Sequence, residues 1–156
     1  MLQWFASKWR HKWRVTSSVP REDRHVKGAA ELAAVVVGGA IGTAIRLGID
    51  LGLPHGEFPW PTLLINTVGA FVLGMLVARL WPSAPTWLRA GLGAGLLGSF
   101  TTFSAVAVSL VSLSAAGSWM LALAYLVATL ALGLTAAWLG IRVGGGRASL
   151  ADEVTE

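Results

Sequence analysis

The sequence predicts an all-α membrane protein with four transmembrane helices, the third of them broken near its middle. The chain of 156 residues is 54% hydrophobic and only 13% charged, and its mean hydropathy is +0.65. Its charges are segregated, because only five charged residues lie between positions 32 and 141. Four apolar stretches are separated by short connections rich in proline or glycine, and each is long enough for the roughly 20 residues that cross a bilayer core.

A basic extension, residues 1–31, precedes the first span. Seven of its residues are Lys or Arg, and Trp4, Trp9 and Trp13 recur among them at helical spacing. This pattern is typical of a helix lying at the surface of an anionic membrane, and a partly disordered tail is the alternative. The net charge of +4 does not predict nucleic-acid binding, since cations that flank membrane spans set the orientation of the chain.

The first span covers about residues 32–53 and contains two features of interest. Gly38 and Gly42 are four apart, a spacing that lets helices approach closely. Arg46 and Asp50 follow at further intervals of four, which predicts an ion pair near the interface. The alternative is that Arg46 is a buried anchor for a broken helix, or a cation at an anion entrance.

Polar residues also interrupt the second span, about 61–80, and the fourth, about 118–142. Asn66 stands in an apolar block, where an amide bonds a neighbouring helix or donates N–H groups to an anion that has left water. Tyr125 and Thr129 lie four apart on one helical face. Their hydroxyls would form either a rung of a polar track or a packing contact with another helix.

The third span, about residues 87–113, is too long for a straight crossing. Its 27 residues would measure about 40 Å as a continuous helix. We expect a break at Gly98, where hydroxyl residues begin, and a break at membrane depth is tolerated only where it lines a cavity or is buried in protein. The alternative is a Ser/Thr-rich packing face. The hydroxyls available to satisfy the freed backbone groups are those of Ser99, Thr101, Thr102 and Ser104.

Four spans place both termini on one side of the membrane. That side would hold eleven of the 12 Lys and Arg residues, and Arg46 alone would lie toward the other side. The positive-inside rule therefore predicts cytoplasmic termini, including a solvated tail over 143–156. Tryptophans stand at the predicted span ends, as in an aromatic belt, at positions 60, 81, 87 and 119.

Together these patches resemble the CrcB/Fluc family of fluoride channels. The most specific element is the hydroxyl-rich GSFTTFS with an asparagine upstream of it. The resemblance covers residues 35–140 in the family's order and spacing. Its stretches are GGAIGTAIR at 38–46, PTLLINTVGAFVLG at 61–74, GSFTTFS at 98–104 and the Tyr125/Thr129 pair.

The resemblance implies a dimer of two four-helix subunits inserted upside down to each other, with two narrow fluoride pores. It also implies a structural sodium ion at the dimer centre, held by the backbone carbonyls of Gly98 and Thr101. Phe103 would present its ring edge, which carries partial positive charge, to fluoride. The residues implied to line the fluoride pathway are Asn66, Phe103, Ser104, Tyr125 and Thr129.

The chain departs from the family pattern at two positions and in its charge bias. Val106 stands where a second pore phenylalanine is expected, and Gly133 where a further hydroxyl is expected. A subunit that inserts in both orientations would carry almost no Lys/Arg bias. The strong bias here therefore favours a heterodimer, with this chain as the half whose termini face the cytoplasm, and a homodimer is the alternative.

We expect a subunit of a channel in the cell membrane that lets toxic fluoride leave passively, without enzyme activity. One alternative is a small four-helix proton-coupled exporter, which would need a membrane carboxylate and could use only Asp50. The other is a non-conducting partner subunit of a heterodimeric fluoride channel.

Overall fold

A computed structural model describes residues 21–53 and 56–145, with side chains from residue 28 onward. The regular structure in this part of the chain is entirely helical. Four stretches are long and apolar enough to cross a membrane, which confirms the predicted fold class. The helices are α1 (Arg21–Gly52), α2 (Trp60–Arg79), α3 (residues 86–100), α4 (Phe103–Ala115) and α5 (Trp119–Gly145).

The observed helices lie close to the predicted spans. The main difference is at the start, because α1 already includes residues 21–31, inside the stretch predicted as an extension. The apolar part of α1 that could cross a membrane begins at Gly28. The predictions for residues 1–20 and for residues 146–156 fall outside the described part of the chain and stay predictions.

Helices α1 and α3 pack through a seam of glycines. A Cβ added at Gly38 or Gly42 would lie within about 3 Å of backbone atoms of Gly91 and Leu96. The two backbones therefore touch, as the spacing of four predicts. Higher residue numbers in α1 meet higher numbers in α3, so the two helices run parallel.

Helices α2 and α5 form a second parallel pair with the same kind of seam. A Cβ at Gly74 would overlap the carbonyl of Ala137, and one at Gly140 would overlap the carbonyl of Phe71. In lipid there is little hydrophobic drive between helices, so such close backbone packing is a main source of association.

Within α3, the segment Gly91–Leu97 is π-helical, and ordinary helical turns flank it at Thr86–Ala90 and Gly98–Phe100. The amide of Gly98 donates back to the carbonyl of Gly93, five residues earlier. Such widened turns are rare and concentrate at functional sites.

The bundle has two chemically different ends. Helices α2 and α5 finish together, since Gly144 lies against Met75 and Ala78. Three arginines, Arg79, Arg89 and Arg142, lie at this end, which we call the basic end. The opposite, distal end carries the loop of residues 56–59 and the turn of residues 116–118.

The buried core is small, and much of the apolar surface faces outward. One cluster joins α2, α4 and α5 around Tyr125, and another joins α2 and α3 around Phe100. Large apolar side chains along the spans are exposed, as expected for lipid-facing positions. Trp60, Trp87 and Trp119 are exposed at the beginnings of helices, where an interfacial belt would place them.

Candidate functional site

The helix break lies at Thr101 and Thr102, between α3 and α4. Both residues have extended backbone, with ψ values of 154° and 119°. Gly98 itself is helical, so the expected break at Gly98 is displaced toward the C-terminus. Thr101 closes α3, because its amide and its hydroxyl both donate to the carbonyl of Leu97, at 2.9 and 2.8 Å.

Asn66 of α2 holds the break in place. Its amide nitrogen donates to the carbonyl oxygen of Thr102 at 3.0 Å, and its Oδ1 accepts from the Thr102 amide at 2.8 Å. One side chain therefore pairs both backbone groups of the residue that leaves the helix. Of the two roles predicted for Asn66, the bond to a neighbouring segment is present. Its amide has a second N–H, and the role toward an anion stays a prediction.

The break releases two carbonyls from the helical pattern. In an uninterrupted α-helix the amides of residues 102 and 105 would bond the carbonyls of Gly98 and Thr101. Here the Thr102 amide goes to Asn66, and the Ala105 amide goes to Thr102 Oγ1 at 3.2 Å. Thr102 thus caps α4, and Gly98 and Thr101 lose these helical donors.

A cavity of about 410 Å³ opens beside the break, between α2, α3, α4 and α5. Asn66, Thr102 and Thr129 contribute polar groups, and Phe103 contributes a ring that is 83% exposed. Ser104 is also exposed, and its hydroxyl lies 3.0 Å from Thr102 Oγ1. The structure therefore brings four of the five predicted pathway residues around one region and places Tyr125 deeper, among α2, α4 and α5.

Tyr125 lies at the centre of a cluster of hydroxyls. It is fully buried, and neither its hydroxyl nor that of Thr129 has a partner in hydrogen-bonding geometry. The hydroxyls of Ser109, Thr129 and Thr62 lie around the Tyr125 hydroxyl. Sequence reasoning missed Thr62 and Ser109, because no spacing rule links α2 and α4 to a residue on α5.

Arg46 and Asp50 line another cavity, of about 280 Å³, at the distal side of the break. Thr62 and Thr102 also line it, so it adjoins both the hydroxyl cluster and the break. Gly42 lies one turn earlier in α1 and permits the contact of α1 with the backbone near Phe100. Arg46 is half-buried, which fits either of its predicted roles.

Val106 is 2% exposed and packs in the core around Tyr125, although it also touches the edge of the large cavity. Gly133 has open space around its Cα, because a Cβ there would meet nothing within 4 Å. The position expected to carry a hydroxyl therefore has room for one.

Fold and site together define a class of protein. Four apolar helices with a break at mid-span, unpaired buried hydroxyls and an adjoining cavity are the features of a small multi-pass membrane protein that moves an ion.

The sequence model described as CrcB-like protein, Camphor Resistance (CrcB), matches residues 33–141, so the chain belongs to the CrcB family. It is 43% identical over 113 residues to a protein of Mycobacterium bovis named "Fluoride-specific ion channel FluC 1", covering 70% of this chain and 86% of that one. A "Fluoride-specific ion channel FluC 2" of Geobacillus kaustophilus is 38% identical over 112 residues, covering 69% and 87%. One of Brucella abortus with the same name is 44% identical over 113 residues, covering 68% and 88%.

Proposed function

We propose that this chain is a subunit of a fluoride-selective channel that lets fluoride leave the cell passively. The names of its relatives support this activity. The structural observation that carries it is a pair of buried hydroxyls without partners in hydrogen-bonding geometry: Thr129 lines the cavity at the helix break, and Tyr125 lies deeper beside it. Unpaired buried polar groups are costly, and donors aimed at an anion explain why they are present.

Fluoride is small and strongly hydrated, so a pathway must replace the water that it loses. Hydroxyl and amide groups donate hydrogen bonds without a fixed positive charge that would trap the ion. The edge of an aromatic ring adds weak positive potential. The residues proposed to supply these contacts are Asn66, Phe103, Ser104, Tyr125 and Thr129.

We propose a structural sodium ion at the break, bound by the carbonyls of Gly98 and Thr101. The two amides that would occupy these carbonyls in a helix are bonded elsewhere, which leaves them able to bind a small hard cation. Sodium would supply fixed positive charge that holds the broken backbone in place.

We further propose that the channel is a dimer of inverted subunits in the plasma membrane, with the termini of this chain in the cytoplasm. The distribution of Lys and Arg, eleven of 12 toward one side, favours a single orientation and hence a heterodimer. A homodimer would require this chain to insert in both orientations.

A second candidate is the non-conducting subunit of such a heterodimer. It is favoured by Val106, which packs in the core where the family resemblance implies a pore phenylalanine, and by Gly133, which has no hydroxyl. In this case the chain supports flux only through pores completed by its partner.

Fluoride efflux from liposomes that contain the purified chain, read with a fluoride electrode, tests the proposal. Chloride efflux serves as the control for leak. Fluoride loss without chloride loss from the chain alone would establish a self-sufficient channel and contradict an obligate heterodimer. Flux that appears only after co-expression with an inverted partner would support the heterodimer, and no flux in either preparation would refute the channel.

A further inference from the structure

A second polar cavity lies at the distal end of the bundle, apart from the cavity at the helix break. It has a volume of about 340 Å³ and is bounded by the loop of residues 56–59, α4 and the turn of residues 116–118. We call it the serine cavity, because Ser109, Ser112 and Ser118 line it. Among the described residues that line it, Glu57 is the one with a carboxylate, and its side chain is exposed.

The serine cavity is connected to the hydroxyl cluster around Tyr125. Ser109 belongs to both, since it lines the cavity and also lies beside the Tyr125 hydroxyl. The unpaired hydroxyl of the fully buried Tyr125 therefore lies one side chain away from a space that reaches the distal surface.

The loop of residues 56–59 covers Tyr125 on this side. The ring of Phe58 meets the Tyr125 ring edge-on, with 5.5 Å between their centroids, and also contacts the ring of Trp60. Glu57 and Pro59, on either side of Phe58, both line the serine cavity. The anchored Phe58 thus holds the backbone of Glu57 beside the cavity.

We propose that the serine cavity is the distal mouth of the ion pathway and that Glu57 limits anion flux through it. This inference rests on the proposed fluoride function. The serine hydroxyls would donate to a partly dehydrated anion on its way to or from Tyr125. The negative charge of Glu57 lowers the local anion concentration, in contrast to the arginines at the basic end.

A series of charges at position 57 tests this proposal. A unit charge about 10 Å from an ion in water changes its local concentration about twofold at low ionic strength. We therefore expect Glu57→Gln to raise fluoride flux about twofold over wild type, and Glu57→Lys to raise it about fourfold. Both effects should vanish near 1 M salt, where the Debye length is about 3 Å.

Two variants serve as controls, measured in the wild-type assembly that conducts, with or without a partner subunit. Glu57→Asp keeps the charge and should keep wild-type flux. Glu31→Gln changes the net charge by the same amount near the beginning of the apolar part of α1, at the opposite end of the bundle, and should not reproduce the increase. Equal flux for Asp, Gln and Lys at position 57 in low salt would overturn the proposal.

Two single-cysteine variants test the position of the mouth independently, because the natural chain has no cysteine. Ser112→Cys places a thiol in the serine cavity, whereas Ser114→Cys places one on the same helix in a different cavity, beside Val111 and Trp119. A bulky water-soluble thiol reagent should reduce flux through S112C at least severalfold and leave S114C unchanged. Unaltered flux through fully modified S112C would contradict the proposal.

These results separate the inference from the function on which it rests. If wild type conducts fluoride but neither the charge series nor the thiol reagent changes flux, the channel stands and the serine cavity is not its mouth. If wild type fails to conduct in any assembly, both the fluoride function and this inference are refuted.

Discussion

Asn66 gives the break in the third span the two hydrogen bonds that a neighbouring strand would give. Its amide pairs with the N–H and the C=O of Thr102 at 2.8 and 3.0 Å. These backbone groups lie in a part-buried site within an apolar span, where an unpaired group would be costly. The asparagine thus explains why the chain can leave the helix here.

Asn66→Ala should lower the stability of the protein markedly. Each Thr102 group left unpaired costs about 1–3 kcal/mol, so the midpoint of thermal unfolding in detergent should fall. Thr67→Val is the matched control, since the Thr67 hydroxyl bonds only the carbonyl of Leu63 within its own helix. A similar loss of stability in both variants would show that the two Asn66 hydrogen bonds to Thr102 contribute no more than an ordinary hydroxyl bond within a helix.

Tyr125→Phe should separate function from stability. The neighbouring hydroxyls of Ser109, Thr129 and Thr62 are not in hydrogen-bonding geometry with the Tyr125 hydroxyl, so removing it should leave the unfolding midpoint unchanged or slightly higher. The ring contact with Phe58 is retained. If the hydroxyl donates to fluoride, its loss removes about 1.5–3 kcal/mol of interaction with a charged group, and flux should fall about tenfold or more. Unchanged flux would remove Tyr125 from the pathway.

At the scale of elements, the two parallel helix pairs depend on glycines that admit no side chain. Gly140→Ala should weaken the α2–α5 pair, because its Cβ would overlap the backbone of Phe71 and Met75, and such overpacking costs about 1–3 kcal/mol. Gly133→Ala on the same helix has open space and should gain about 0.5–1 kcal/mol. The midpoints of thermal unfolding of the two variants measure the difference. Equal midpoints would contradict the conclusion that close packing at Gly140 stabilises the α2–α5 pair.

Sequence patterns predicted those helices well, because their signal is local. Apolar runs, tryptophans and turn residues set the spans to within a few residues, and glycine spacing predicted the seam of α1. For residues 21–31 the sequence predicted either a separate interfacial helix or a tail, and it gave no sign that a helix there continues into the first span.

The break shows where such local reasoning ends. The sequence predicted the break at Gly98, where a glycine precedes the hydroxyl residues. The chain instead leaves the helix at Thr101 and Thr102, because Asn66 on another helix hydrogen-bonds Thr102. The same limit applies to Thr62 and Ser109, which join Tyr125 only through the packing of three helices. The π-helical turns of Gly91–Leu97 also had no periodic signature.

At the scale of the whole molecule, the charges divide the bundle along its axis. The basic end holds Arg79, Arg89 and Arg142, and the Arg142 guanidinium lies 4.4 Å from the centroid of the Trp138 ring. The distal end holds Glu57, with Arg46 and Asp50 beside one cavity near it. Insertion in one orientation places the cations on the cytoplasmic side, and the reverse orientation would carry them across the membrane.

We therefore expect every copy of this chain to insert with its basic end in the cytoplasm. Single cysteines test this cleanly, since the natural chain has none. Ser83→Cys lies in the exposed turn at the basic end, and Ala116→Cys in the exposed turn at the distal end. On intact cells, a membrane-impermeant thiol reagent should label A116C and not S83C, and opening the cells should expose S83C.

Labelling of both positions in about half of the molecules would show dual insertion. The charge bias would then not fix the orientation, and an inverted dimer could form from this chain alone.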